Sequence, residues 1–353
     1  MIKILIVDDS PTETALLKYL FGAQKDMEVI GTATNGEDAI TMTKQLNPDI
    51  ITMDIQMPIL NGFEATRAIM AEHPTPIVVI SSALSDPTMN TTFKAMEAGA
   101  LSVLKKPHPA TDGKYAEEHQ RIIDTVRSMS EIKVVKRRFH VNKQHKLHVN
   151  TPKSEFISRA NFEILAIGAS VGGPQALRVV LEKLPADFPV PIVIVQHMTQ
   201  GFIGGFTHWL NNNVALTIKS ATENEILKPG HVYFAPDHFH LEVKRQQGKL
   251  IAHLVKKPPV AGFCPSATVL IESVAKVCGK RGLGLLLTGM GTDGAHGLLE
   301  LKKVGGHTLI QDKDSAVVFG MAGTAKDLDA VDLVIELPQI SEYLMRCMTA
   351  AKV

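Results

Sequence analysis

The chain has 353 residues, 45% hydrophobic and 21% charged, with a formal net charge of +1. That length is too great for one ordinary core and fits two domains. The composition excludes a disordered chain, the charge excludes a global footprint for nucleic acid or membrane, and no apolar run approaches the ~18 residues of a membrane span.

Three cysteines, Cys264, Cys278 and Cys347, have neither metal-site spacing nor the even count of a disulfide framework. Met1-Ile2-Lys3-Ile4-Leu5-Ile6-Val7 runs into two aspartates without a small-residue cleavage site. A cytoplasmic location without membrane insertion is expected.

From the N-terminus, short β-rich runs alternate with helical patterns. Residues 2–7, 28–32, 50–53, 77–80 and 101–104 read as buried strands, with helices at 12–21, 37–46, 63–72 and 88–98. Strict alternation predicts a parallel sheet with helices on both faces. Sites in such sheets gather at the carboxyl ends of the strands, where Asp8, Asp9, Asp54, Ser81 and Lys106 all fall. Clustered aspartates need a cation, and hard carboxylate oxygens with room for water suit Mg²⁺. A carboxylate beside that ion can accept a phosphoryl group. Ser81 then offers a hydroxyl and Lys106 a point charge to the phosphoryl oxygens, and Pro107 restricts the Lys106 backbone to extended conformations.

With Asp8-Asp9, Met53-Asp54-Ile55-Gln56-Met57-Pro58, Asn61-Gly62, Ser81-Ser82 and Lys106-Pro107 in that order, residues 1–120 resemble a response-regulator receiver domain. The resemblance implies phosphorylation at Asp54 by a histidine kinase. It also implies Mg²⁺ held by Asp9 and Asp54, with Asp8 helping and the Gln56 backbone carbonyl as a further ligand. Ser81 stands where threonine is common and keeps the hydroxyl, whereas Leu101-Ser102-Val103-Leu104 offers no aromatic switch residue.

A helix is expected around 117–131. Residues 133–153 then carry Lys133, Lys136, Arg137, Arg138, Lys143, Lys146 and Lys153, with His140, His145 and His148 among them. Without apolar periodicity, this reads as a solvated spacer. The expected domains are a receiver at 1–125, a basic linker at 126–157 and a second domain at 158–353.

Alternation resumes in the second domain. Strands are expected at 162–168, 191–196, 231–234, 283–287, 307–311 and 333–336. Helices are expected from Pro174 to near Leu184 and at 265–277 and 295–304, Pro174 suiting the first helical position. Runs at 240–244 and 249–253 flank Gln247-Gly248 as a hairpin added to the main sheet. The fold class is therefore α/β, with two doubly wound parallel-sheet domains. The first is flavodoxin-like; the second is Rossmann-like with a small antiparallel hairpin.

Gly168-Ala169-Ser170-Val171-Gly172-Gly173 places a serine on a glycine-permitted corner after an apolar strand, the pattern of a nucleophile elbow. A dinucleotide loop would need glycine at 170 and an acidic residue after the next strand, which instead ends in Gln196-His197. A serine hydroxyl needs a base, and the base an orienting acid. His197 follows the neighbouring strand and is the expected base, ahead of His208, His231, His238 and His240. Asp293 lies in the glycine-rich loop Thr288-Gly289-Met290-Gly291-Thr292-Asp293-Gly294, where backbone amides can turn toward an anion. It is the expected acid, with a helix N-cap before Ala295 as its second role and Asp312 and Asp314 as alternatives. The order Ser–His–Asp differs from that of α/β-hydrolases.

These segments, with Val195-Gln196-His197-Met198, are similar to the effector domain of the chemotaxis response regulator protein-glutamate methylesterase / protein-glutamine deamidase family. The resemblance spans nearly the whole chain. It implies a Ser170–His197–Asp293 triad, with backbone amides at Met290 and Val171 for the oxyanion and no cofactor at the serine. Methyl-accepting chemoreceptors would be the substrate, and an unphosphorylated receiver would cover the site. A serine hydrolase for another ester or amide is the first alternative. A phospho-regulated DNA-binding protein is the second, opposed by the absence of a helix-turn-helix pattern; no nucleic-acid partner is expected.

Overall fold

The computed structural model describes residues 1–81, 90–108, 115–132, 134 and 161–349, so most of the basic linker lies outside the described residues. The chain divides into two compact units, Met1–Lys143 and Gln144–Val353.

The first unit alternates β1 (Ile2–Val7), α1 (Pro11–Gly22), β2 (Met27–Ala33), α2 (Gly36–Leu46), β3 (Ile50–Met53), α3 (Gly62–Glu72), β4 (Ile77–Ser81), α4 (Asn90–Ala98), β5 (Ser102–Lys105) and α5 (Ala116–Ser130). The strands form one parallel sheet in the order β2-β1-β3-β4-β5. Continuous apolar runs such as residues 77–80 are buried on both faces, as a helix-covered parallel sheet requires. Ser10, Asn35 and Asn61 start α1, α2 and α3 by accepting from backbone amides of the first turn. Helix α5 runs five residues into the segment read as linker, because Val126 and Met129 extend its buried face.

The second unit contains β6 (Ile164–Ala169), α6 (Gly173–Leu181), β7 (Ile192–Gln196), α7 (Ile203–Asn211), β8 (Thr217–Ser220), β9 (His231–Phe234), β10 (His240–Gln246), β11 (Lys249–Val255), α8 (Ala267–Cys278), β12 (Gly282–Leu286), α9 (Ala295–Lys303), β13 (His307–Gln311), α10 (Met321–Asp327), β14 (Leu333–Ile335) and α11 (Ile340–Thr349). Seven of these strands make a sheet ordered β14-β13-β12-β6-β7-β9-β8, with every neighbouring pair parallel. The chain winds away from β6 in both directions, to β7 on one side and β12 on the other. The crevice at their carboxyl ends is where such sheets hold ligands.

The hairpin forms, with Gln247 (φ 48°) and Gly248 (φ 80°) as its two-residue turn. It does not extend the main sheet. β10 and β11 make a separate two-stranded sheet, burying Leu241, Val243, Leu250 and Ala252 in the core that includes α8. The Val243 amide also donates to Ser273 Oγ of α8 at 2.8 Å. The sheet edge is instead taken by β8, which the sequence pattern did not suggest. Among the described residues, no helix is long and apolar enough to cross a membrane.

Candidate active site

In the second unit, Ser170 follows β6 directly, and its amide donates to the Thr288 carbonyl at 3.0 Å. The positive φ of this corner falls not on the serine but on Gly172 (φ 76°), the N-cap of α6. A side chain there would be strained by its backbone and would also meet Val317 and Thr288. Parallel pairing sets Ala169 opposite Gln196, and the His197 amide donates to the Ala169 carbonyl at 2.9 Å. Ser170 and His197 are therefore the first residues beyond two neighbouring strand ends. The loop after β12, the next strand on the other side of β6, brings Asp293.

The imidazole and carboxylate meet: His197 Nε2 lies 2.8 Å from Asp293 Oδ2. Asp293 is fully buried and accepts three further hydrogen bonds, from Ser266 Oγ (2.7 Å), the Ala267 amide (2.7 Å) and the Thr268 amide (3.0 Å). Four donors match the acceptor capacity of an ionised carboxylate. Burial alone would push its carboxyl up, but the bonds from His197, Ser266 and Thr268 outweigh it and hold the group at about 2. The helix role expected for Asp293 is also relocated. Gly294, not Asp293, caps α9, while Asp293 sits on the opening turn of α8, whose free amides and dipole favour an anion.

An acceptor-only carboxylate requires the hydrogen on His197 Nε2. The other ring nitrogen, Nδ1, is buried and has no partner among the described residues. The imidazole stacks on Phe263, with centroids 3.8 Å apart and planes at 3°. Ser170 is buried, with 7% of its surface exposed. Among the described residues, no acceptor meets the amide N–H of Val171 or Met290.

Two residues here escaped the sequence reading. The Gln196 carboxamide donates one hydrogen to the Ser170 carbonyl (2.9 Å) and the other to its neighbour's, that of His197 (2.8 Å). Its place at the end of β7 was the available signal. Phe263 lies far along the chain with no motif to mark it. Asp312 is engaged by the Asp314 and Ser315 amides of its own turn, and of the rival histidines His208 and His231 make contacts elsewhere.

In the first unit, Asp8 and Asp9 follow β1, Asp54 follows β3, Ser81 ends β4 and Lys106 follows β5. Lys106 Nζ lies 2.8 Å from both Asp8 and Asp54, and its amide donates to the Ser81 carbonyl at 3.3 Å. Asp8, Asp9 and Asp54 each present an oxygen within 4.8 Å of the others. Burial pushes the Asp8 carboxyl up, against the lowering effect of Lys106. Gln56 lies in the exposed loop that follows Asp54. Glu13, in the first turn of α1, was missed. Its Oε2 is buried without a partner among the described residues, and its carboxyl is pushed up by burial and by the Asp8 and Asp54 charges, against Lys106.

Residues 165–344 match the CheB methylesterase family and residues 4–114 the response regulator receiver domain. A protein-glutamate methylesterase/protein-glutamine glutaminase of Nitrosospira multiformis is 43% identical over 346 residues, covering 98% of this chain and 96% of that one. One from Methanospirillum hungatei is 40% identical over 344 residues, covering 98% and 97%. The crystal structure of the Thermotoga maritima CheB methylesterase catalytic domain has a TM-score of 0.51 and 37% identity, covering 52% of this chain and 97% of that one. With Ser170, His197 and Asp293 at the carboxyl ends of one parallel sheet and a carboxylate pocket at the rim of another, the chain belongs to the CheB protein-glutamate methylesterase/protein-glutamine glutaminase family, carboxylic ester hydrolases with a response-regulator receiver domain.

Proposed function

We propose that the chain hydrolyses glutamate methyl esters on methyl-accepting chemoreceptors through an acyl-enzyme on Ser170. Ser170 Oγ attacks the side-chain ester carbonyl as its proton passes to His197 Nδ1. That proton then goes to the departing oxygen as the C–O bond to methanol breaks. Asp293 holds the Nε2–H tautomer and stabilises the imidazolium. The Val171 and Met290 amides receive the oxyanion, an assignment supported by their freedom from other acceptors. Water, deprotonated by the same nitrogen, hydrolyses the glutamyl-serine ester. A glutamine amide passes through the same acyl-enzyme, so deamidation belongs to this site too. No cofactor is required at the serine.

The same reading makes Asp54 the phosphorylated residue and a chemotaxis histidine kinase the donor, with phosphorylation raising hydrolysis. Asp8, Asp9, Asp54 and the Gln56 carbonyl would hold Mg²⁺, which suits hard oxygens and when bound neutralises charge on phosphoryl oxygens. Lys106 and Ser81 would contact those oxygens. We take 1–125 as receiver, 126–157 as linker and 158–353 as catalytic domain, in a cytoplasmic protein with no nucleic-acid partner.

The observation that carries this reading is the His197–Asp293 bond, which leaves the imidazole Nδ1 without a partner among the described residues on the residue that follows the strand next to that of Ser170. Methanol release from methylated chemoreceptor tests it. Ser170→Ala should abolish release, and release at the wild-type rate would reject the site.

A further inference from the structure

A fully buried histidine outside the triad stands at the base of a loop that addresses two triad members. His240 opens β10, and its ring nitrogens face backbone groups with fixed roles. The Ser266 amide, which can only donate, lies 3.2 Å from Nδ1, and the Pro258 carbonyl, which can only accept, lies 3.1 Å from Nε2. One form of the ring satisfies both: neutral, with its hydrogen on Nε2. The two contacts bracket residues 259–265, so a single side chain closes that loop at both ends.

The loop delivers two groups to the triad. Val260 and Phe263 exchange backbone hydrogen bonds of 3.0 and 2.9 Å around Ala261 (φ 51°) and Gly262 (φ 83°). This tight turn sets Phe263 flat on the His197 ring. At the loop's end, Ser266 gives its amide hydrogen to His240 and its hydroxyl hydrogen to Asp293. Its Oγ also accepts from the Val269 amide as the N-cap of α8. Every bond in the path from His240 through Ser266 and Asp293 to His197 thus has a defined direction.

We propose that His240 is a positioning residue for ester hydrolysis, fixing the Asp293 carboxylate through Ser266 and the His197 ring through Phe263. The proposal rests on the triad reading above. A residue serving stability alone would change how much protein folds. A positioning residue changes turnover per folded molecule and leaves substrate binding in place.

The test compares methanol release from methylated chemoreceptor by the full-length protein and its Ser170→Ala, His240→Leu and His240→Asn variants. The sole tryptophan, Trp209, is buried in the catalytic unit, and its fluorescence gives the folded fraction. His240→Leu removes both ring contacts; kcat per folded molecule should fall roughly 10- to 100-fold, the scale of an ångström misplacement, with KM within about twofold. His240→Asn keeps an acceptor for the Ser266 amide and should recover most of that loss. If His240→Leu does not fold, His240→Gln, which keeps the donor toward Pro258 but not the acceptor, replaces it in the comparison. Unchanged kcat per folded molecule in the variant lacking the acceptor overturns the proposal, as does a His240→Asn enzyme no better than it. Full activity in Ser170→Ala would instead overturn the triad reading itself.

Discussion

Asp293 meets His197 at 2.8 Å while resting on the first turn of α8, so one carboxylate joins a strand-end imidazole to a helix packed against the same sheet. Its four acceptor sites are filled by four donors from two segments of chain, His197 and residues 266–268. The group is therefore held in place and in charge together: rotating it would strand buried donors, each at a cost of about 1–3 kcal/mol.

Asp293→Asn is the sharpest probe of that arrangement. An amide has one acceptor oxygen, so its NH₂ would face two of the four donors, and the imidazole would lose its tautomer partner. We expect kcat to fall roughly 10⁴-fold, the scale seen when a triad acid becomes an amide. Single-turnover methanol release measures this. A loss of only about tenfold would return attention to Asp312 or Asp314 as the orienting acid.

The same carboxyl predicts a pH dependence of stability. It is held at about 2 against an ordinary 3.8. A depressed value favours the folded state above the unfolded pKa, and the contribution disappears as pH falls from 3.8 through about 2. The shift corresponds to roughly 2 kcal/mol. Urea titrations at pH 5 and near pH 2, followed by Trp209 fluorescence, should show the wild type losing about that much more than Asp293→Asn across the window. Parallel losses in the two proteins would mean that Asp293 is not held ionised by folding.

Much of this site was legible because its residues sit at strand ends. Asp8, Asp54, Ser170 and His197 each close a run of apolar β-formers, and parallel sheets gather such positions at one rim. Asp293 was legible through the glycines around it, although its helix partner proved to be α8 and not α9. The hairpin turn was readable in Gln247-Gly248, but its packing was not. Whether β10 and β11 join a sheet edge depends on which tertiary partner covers Leu241 and Val243. Phe263 and His240 act across long stretches of chain, where neither period nor spacing carries a signal.

Gln196 and Gly173 form a pair whose coupling can be measured. A Cβ at 173 would run into Gln196 Oε1, and the carboxamide so displaced is the one that holds the Ser170 and His197 carbonyls. Gly173→Ala should reduce kcat. Gln196→Ala should reduce it too, by freeing those carbonyls at a cost of about 1–3 kcal/mol each. In the double variant the clash is gone, so its loss should be smaller than the sum of the two, with a coupling of about 0.5–3 kcal/mol. Strict additivity would show that the glycine serves some other contact.

Lys106 holds two buried carboxylates at 2.8 Å each. Lys106→Met leaves Asp8 and Asp54 facing one another uncompensated, a defect of about 3–5 kcal/mol unless one of them takes a proton. Burial already pushes the Asp8 carboxyl up, so proton uptake there is the easier relief, and it weakens the pocket's hold on a divalent cation. Methanol release with and without a small phosphodonor and Mg²⁺ then separates the two units. Lys106→Met and Asp54→Asn should both keep the basal rate and lose the activation. A protein lacking residues 1–150 should release methanol faster than the unstimulated full chain and ignore the phosphodonor. Activation persisting in Asp54→Asn would move the phosphorylation site elsewhere, and a basal rate lost in Lys106→Met would mean that the receiver supports the catalytic unit and does not merely restrain it.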